Sequence, residues 1–235
     1  IGGDGGDTFT INDAAIGGLG SMSMDGGGGF NSMNVIEPLA TGLDIWHGYG
    51  GNGSFTPRFG ADNHNIFGFA NINSTVYNGN AGNNIFSVYS AGHDFGGVTL
   101  IGGPGDDTFR LLPQPGGYTF EHLQINGNQG NDTFTYDSSA LSTDERYTIG
   151  TNTLSVARGL ASETITTSSM VQISLIGGSG HDEFTLSEYS IGIPVAVYGG
   201  NGDDTFHFGG NSLANLNSGT QFIFSGGMGF DRINV

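Results

Sequence analysis

Short runs in which apolar and polar residues alternate recur along the whole chain. Thr108-Phe109-Arg110-Leu111, Thr133-Phe134-Thr135-Tyr136 and Tyr118-Thr119-Phe120-Glu121-His122-Leu123-Gln124-Ile125 are three of them. A period of two is that of a strand with one buried face, so the aromatic residue points inward and the chain reads as all-β. The runs are separated by glycine-rich corners: Gly102-Gly103-Pro104-Gly105-Asp106-Asp107, Gly177-Gly178-Ser179-Gly180-His181-Asp182 and Gly199-Gly200-Asn201-Gly202-Asp203-Asp204. In such a corner glycine turns the backbone through φ > 0, and aspartate ties its carboxylate to nearby amides.

The same frame stands at residues 1–9, 127–134 and 225–233, and neighbouring copies are usually about 24 residues apart, a spacing typical of repeat architectures. One unit of that size cannot bury its apolar face alone. Stacking successive units builds a continuous core, which predicts a single-stranded, right-handed parallel β-helix of about nine to ten coils. The inward residues after each corner predict one column through Phe9, Met33, Phe55 or Phe67, Phe86, Phe109, Phe134, a position near Ser155, Phe184, Phe206 and Ile233. Residues 1–235 form one domain in this reading, a segment of a longer exported protein. Two stretches break the frame as insertions: residues 37–77, and residues 137–148, a polar loop off a rung.

Composition narrows the partners. The net charge is −17, with 22 acids against five arginines (58, 110, 146, 158 and 232) and no lysine. Such a chain repels phosphate backbones and anionic membranes, so neither nucleic acid nor membrane insertion is expected, and cations are the partners it invites. There is no cysteine, which removes disulfides and thiol chemistry together.

If the units stack, the corner acids stack too: Asp107 over Asp132, and Asp182, Asp204 and Asp231 in successive turns. Carboxylates about 5 Å apart repel by roughly 3 kcal/mol at an effective dielectric of 20. Glycine corners leave carbonyls uncovered beside them, and an all-oxygen set suits a hard, geometrically tolerant cation, Ca²⁺ before Mg²⁺. Corners with Asn31, Asn65 or Asn84 at the acid position show that an uncharged corner is acceptable, and the 26–31 and 60–65 corners take no cation in this reading. They form an amide ladder instead.

Gly102-Gly103-Pro104-Gly105-Asp106-Asp107-Thr108-Phe109 and Gly199-Gly200-Asn201-Gly202-Asp203-Asp204-Thr205-Phe206 resemble the repeats-in-toxin (haemolysin-type) calcium-binding nonapeptide, Gly-Gly-x-Gly-x-Asp-x-U-x with U large and apolar. The resemblance implies calcium held between coils by the sixth-position acids and the glycine carbonyls, and an exported, extracellular or cell-surface product. Asp107, Asp182, Asp204 and Asp231 match the sixth position, and Asp132 does so when the motif starts at Gly127. Asp106 and Asp203, the fifth-position acids of the two-acid corners, complete the candidate metal ligands. The family's tandem spacing is absent, since one nonapeptide serves each long coil.

The expected role is therefore a calcium-stabilised structural or adhesive β-solenoid: a stalk, adhesin segment, surface layer or filament protomer. Its expected contacts are calcium, its own ends in self-association, and a cell-surface or polysaccharide ligand. Two rival readings stand beside it. A polysaccharide lyase or epimerase on a β-helix would use an arginine such as Arg110, Arg146 or Arg158, and outward threonines (Thr8/Thr10, Thr133/Thr135, Thr185) would suit ice or a crystal surface, with Arg110, His207 and Arg232 interrupting the rank. The six histidines show no ligand-like clustering.

Overall fold

The computed structural model describes residues 1–12, 21–36, 42–47, 53–58, 66–90, 97–115, 122–186, 192–209, 219 and 221–235. It is all-β, with two sheets. The eleven-stranded first sheet runs in the order β1 (Thr8–Asn12), β3 (Ser32–Ile36), β7 (Ser74–Asn78), β9 (Gly97–Pro104), β11 (Leu123–Gln129), β15 (Ala161–Ser168), β14 (Thr153–Arg158), β13 (Arg146–Ile149), β17 (Glu183–Leu186), β19 (Thr205–Phe208) and β21 (Arg232–Asn234). The ten-stranded second sheet runs β2 (Ser21–Asp25), β6 (Ile66–Ala70), β5 (Gly53–Arg58), β4 (Gly42–His47), β8 (Ile85–Ser90), β10 (Thr108–Pro113), β12 (Asp132–Asp137), β16 (Met170–Ile176), β18 (Val195–Asn201) and β20 (Phe222–Met228).

Over most of its length the chain crosses from one sheet to the other and back, and each strand pairs in parallel with its counterpart from the neighbouring pass. Thr108–Leu111 lies between Ile85–Val88 and Thr133–Tyr136, and Glu183–Thr185 lies between Arg146–Thr148 and Thr205–His207. The alternation seen in the sequence becomes burial alternation, as in the B-i-B-i-B-i pattern of β12. Like residues therefore meet like residues along the stack.

The winding is not uniformly parallel, because each sheet holds one antiparallel three-strand meander. In the second sheet β4, β5 and β6 fold back and forth, with β4 beside β8 and β6 beside β2. The first sheet does the same with β13, β14 and β15, between β17 and β11. The irregular stretch expected at 37–77 thus contains pleated strands. Residues 137–148 are not a loop standing off a rung: Ser138, Leu141, Glu145 and Tyr147 are buried, and β13 begins at Arg146.

The expected single aromatic column is also corrected. Phe9 and Met33 pair in the first sheet, Phe86, Phe109 and Phe134 pair in the second, and Tyr147, Phe184, Phe206 and Ile233 pair in the first again. Within these files the rings stack, Phe86 on Phe109 at 5.1 Å and Phe184 on Phe206 at 5.2 Å between centroids. Phe55 pairs with Phe67 inside the meander, and Ser155 faces Thr148 and Thr164 rather than the core. The inward residues form one contiguous apolar core between the sheets.

Candidate functional site

The corners fall in two files, one on each edge of the sheet pair. Residues 26–31, 177–182, 199–204 and 226–231 lead from the second sheet into the first, whereas 79–84, 102–107 and 127–132 lead from the first into the second. Asp107 and Asp132 belong to one file, and Asp182, Asp204 and Asp231 to the other. The change of edge occurs at the two places where the motif's period is broken, and each break contains one meander. The 60–65 corner, with Asn65, lies outside the described residues.

Within a file the sixth-position side chain reaches back one pass to the backbone of its predecessor. Asn84 N donates to Asp107 Oδ1 at 2.7 Å, Asp107 N to Asp132 Oδ1 at 2.8 Å, Asp182 N to Asp204 Oδ1 at 2.8 Å and Asp204 N to Asp231 Oδ1 at 3.0 Å. The fifth position reaches the other way. Asp106 Oδ1 accepts from Asn131 N at 2.8 Å, His181 Nδ1 from Asp203 N at 2.9 Å and Asp203 Oδ1 from Phe230 N at 2.9 Å. Adjacent acids of one corner therefore stitch the pass on either side, which satisfies backbone donors that a turn would otherwise leave orphaned.

This geometry accounts for the first glycine of the motif. A Cβ on Gly102 would lie 2.2 Å from Asp107 Oδ2, and one on Gly199 would lie 2.2 Å from Asp204 Oδ2. The carboxylate occupies the place of the missing side chain. At the fourth position Gly202 has φ +114°, and a Cβ there would meet Gly180 O at 2.0 Å, so both backbone conformation and close approach demand glycine.

The two acids of a corner differ sharply in environment. Asp107, Asp132, Asp182 and Asp204 are at most 1% exposed, while Asp106, Asp203 and Asp231 are exposed. Burial pushes the Asp107 carboxyl up to about 6 and that of Asp182 up to about 7, against the opposing pull of the N–H groups they accept. Asp132 and Asp204 are raised by the same cause. Asp182 Oδ2 accepts from Gly178 N at 3.0 Å, but the Oδ2 atoms of Asp107, Asp132 and Asp204 are buried with no hydrogen-bond partner.

The asparagine corners show what that position lacks. Asn84 Nδ2 donates to Gly102 O at 3.2 Å, the carbonyl that opens the next corner of its file, and Asn31 Nδ2 to Asn71 O at 3.0 Å, in the turn between β6 and β7. Where aspartate replaces asparagine, an acceptor faces an acceptor. The point where a Cβ of Gly102 would lie is 2.2 Å from Asp107 Oδ2 and 2.8 Å from Gly127 O, and for Gly199 the corresponding distances are 2.2 Å to Asp204 Oδ2 and 2.5 Å to Gly226 O. Both oxygens crowd the Cα of the corner glycine and the carboxylate oxygen meets no N–H, so it is buried without a donor, a cost that a proton or a cation would relieve. The donor set is all oxygen, as a hard cation requires. Among the described residues no three side chains of His, Asp or Glu converge on one point, so such an ion would take most of its ligands from backbone carbonyls.

A second buried polar cluster escaped the sequence reading. Glu145 takes the sixth position of a corner without glycine: its N–H donates to Asp182 Oδ1 at 2.8 Å, and its carbonyl accepts from Glu183 N at 2.8 Å. Inside the body its carboxylate meets the Arg158 guanidinium and accepts from Tyr147 Oη at 2.6 Å. Arg158 also bonds Tyr136 Oη and, at 2.8 Å, Glu163 Oε1, to which Tyr136 donates. Burial alone would lower the arginine's pKa, but Tyr136, Glu163 and Glu145 outweigh it and hold the charge above its ordinary range. The only sequence signal was the polarity of DSSALSTDERYT, which has the composition of a surface loop.

The three arginines considered for catalysis stand apart. Arg110 is on the outer face of the second sheet, Arg146 pairs with Glu183 at 3.2 Å on the first, and Arg158 is enclosed between two glutamates. His181 is exposed in its corner and His207 lies 3.2 Å from Glu183. No protein-family model matches the chain, and no curated protein matches it.

Proposed function

We propose that the chain is an exported structural β-solenoid of the parallel β-helix type, stiffened by calcium between its passes, that serves as a stalk, adhesin segment, surface-layer or filament protomer. The observation that carries this reading is the set of orphaned oxygens, Oδ2 of Asp107, Asp132 and Asp204, in corners whose asparagine counterparts place an N–H at the same position. Calcium would supply the missing positive charge. Asp107, Asp132, Asp182, Asp204 and Asp231 would hold it together with the glycine carbonyls of successive corners, and Asp106 and Asp203 would lower the local potential from outside. Because sites made from two passes exist only when those passes are stacked, metal binding and folding are coupled.

The remaining features agree with a structural role. The net charge of −17 keeps a long body soluble and attracts divalent cations. The resemblance of the corners to repeats-in-toxin nonapeptides points to an extracellular location. The edge strands β20 and β21 expose Ile223, Met228 and Ile233, apolar positions that a further parallel pass, of this chain or of another, would cover. No helix among the described residues is long and apolar enough to cross a membrane.

The test is a thermal melt of the 235-residue chain in excess calcium and in excess chelator, with bound calcium counted by titration calorimetry. The expected result is a calcium-dependent rise in Tm and at least one bound ion. Identical melts and no heat of binding would remove calcium from the account.

A further inference from the structure

We propose that the outer face of the first sheet is a docking surface for a neutral, linear polysaccharide; this rests on the structural and adhesive reading above and names its partner. Across β1, β3, β7, β9, β11, β15 and β14 the outward residues pair in continuous rows. One row is Thr10, Asn34, Val76, Thr99, Gln124, Thr166 and Thr153, and the row beside it is Asn12, Ile36, Asn78, Ile101, Asn126 and Ser168. Every one of these residues is at least partly exposed.

Neither row contains a charged residue, in a chain with 22 acids. Charge on the outer face of this sheet begins beyond them, with Arg146 and Glu183 on β13 and β17. The second sheet differs, carrying Arg110 and Asp137 outward. A contiguous neutral face on a strongly acidic body selects a neutral partner, because a polyanion meets the repulsion of the whole molecule before it reaches the face. Uronic-acid polymers are thereby disfavoured.

The chemistry of the rows is that of hydroxyl recognition. Asn78 Nδ2 donates to Asn34 Oδ1 at 2.7 Å and Asn126 Oδ1 accepts from Asn128 N at 3.0 Å, which orients these amides. Asn34 Nδ2, Asn126 Nδ2, the Gln124 amide and the Thr hydroxyls, which both donate and accept, are left to meet a ligand, interleaved with the methyl groups of Val76, Ile36 and Ile101. Strands lie about 4.8 Å apart and outward residues about 6.7 Å apart along a strand, so an extended glycan laid across the strands meets an equivalent residue at each strand spacing, close to the length of one sugar ring. The single contacts are weak, and their repetition along one polymer supplies the affinity.

The experiment measures depletion of the calcium-loaded chain from solution by microcrystalline cellulose, chitin and mannan, with calcium alginate beads as the polyanionic control. Retention on at least one neutral polymer and not on alginate is expected. The triple variant Asn34→Asp, Gln124→Glu, Thr166→Glu should lose at least about fivefold in retention, because several repeated contacts are replaced by unpaired charges, while Thr135→Glu on the second sheet should be retained like the parent. Circular dichroism melts verify that each variant is folded. No retention on any neutral polymer, or a folded triple variant retained like the parent, overturns the proposal. Inhibition of ice recrystallisation, lost in the same triple variant and unaccompanied by glycan retention, would assign the face to an ordered water lattice and overturn it too. A missing calcium shift with charge-sensitive glycan retention intact would defeat the calcium reading and leave this one standing.

Discussion

The backbone N–H of Asp107 donates to Oδ1 of Asp132, 25 residues later in the chain, at 2.8 Å. Each sixth-position acid thus lends one oxygen to the pass before it. The other oxygen has no hydrogen-bond partner in Asp107, Asp132 and Asp204, whereas in Asp182 it accepts from Gly178 N, and that division of labour sets the expectations for mutation, metal and pH.

Asp107→Asn and Asp204→Asn keep an Oδ1 for the preceding N–H and place an amide where Asn84 already has one. In chelator each should raise stability by about 1–3 kcal/mol, the cost of a buried unsatisfied polar group. In excess calcium the gain should shrink or reverse, because an acid ligand is lost. Paired urea denaturation curves in the two buffers read both effects.

In the absence of calcium, stability should fall as pH rises. Asp107 and Asp182 titrate in the folded chain near 6 and 7, above their ordinary value of 3.8, so between these values the folded state binds more protons than the unfolded state. The contribution is complete below about pH 3.8 and is lost as the pH passes through 6 to 7. Melts from pH 4 to 8 in chelator should show a declining Tm over that range, and Asp182→Asn should flatten the decline. Calcium should restore stability at the upper end of the range.

Arg158→Ala should cost about 3–5 kcal/mol, because it leaves the buried carboxylates of Glu145 and Glu163 without their cation. Arg158→Lys should recover little, since one ammonium cannot span both glutamates and Tyr136 as the planar guanidinium does. Chemical denaturation of both variants measures this. A loss below 1 kcal/mol for the alanine variant would mean that the cluster is not buried as described.

Gly199→Ala should be strongly destabilising and coupled to its own acid. The new methyl would lie 2.2 Å from Asp204 Oδ2 and 2.5 Å from Gly226 O, so removing the carboxylate in Gly199→Ala/Asp204→Ala relieves only the first clash. A double-mutant cycle should give a coupling of about 0.5–3 kcal/mol, whereas Gly3, with no atom within 4 Å of the same position, should accept alanine at little cost.

Strand and corner were readable from residues alone because both are local. Alternation with period two puts Phe109 and Leu111 on one face whatever lies beside them, and a Gly-Gly-x-Gly run bends the chain on its own conformational preferences. The acid position of each motif was also legible, and Asp107, Asp132, Asp182, Asp204 and Asp231 do occupy equivalent places. Which edge of the sheets each corner occupies was not, because a strand's alternation is the same for a parallel or an antiparallel neighbour and does not name the neighbour. The placing of the meanders β4–β6 and β13–β15 between strands of other passes, the division of the corners into two files, and the service of Glu145 as a corner acid all follow from pairings between residues tens of positions apart. Only the tertiary structure could turn Asp144-Glu145-Arg146 from a solvated loop into a buried carboxylate closed over Arg158, since burial depends on what the rest of the chain places above it.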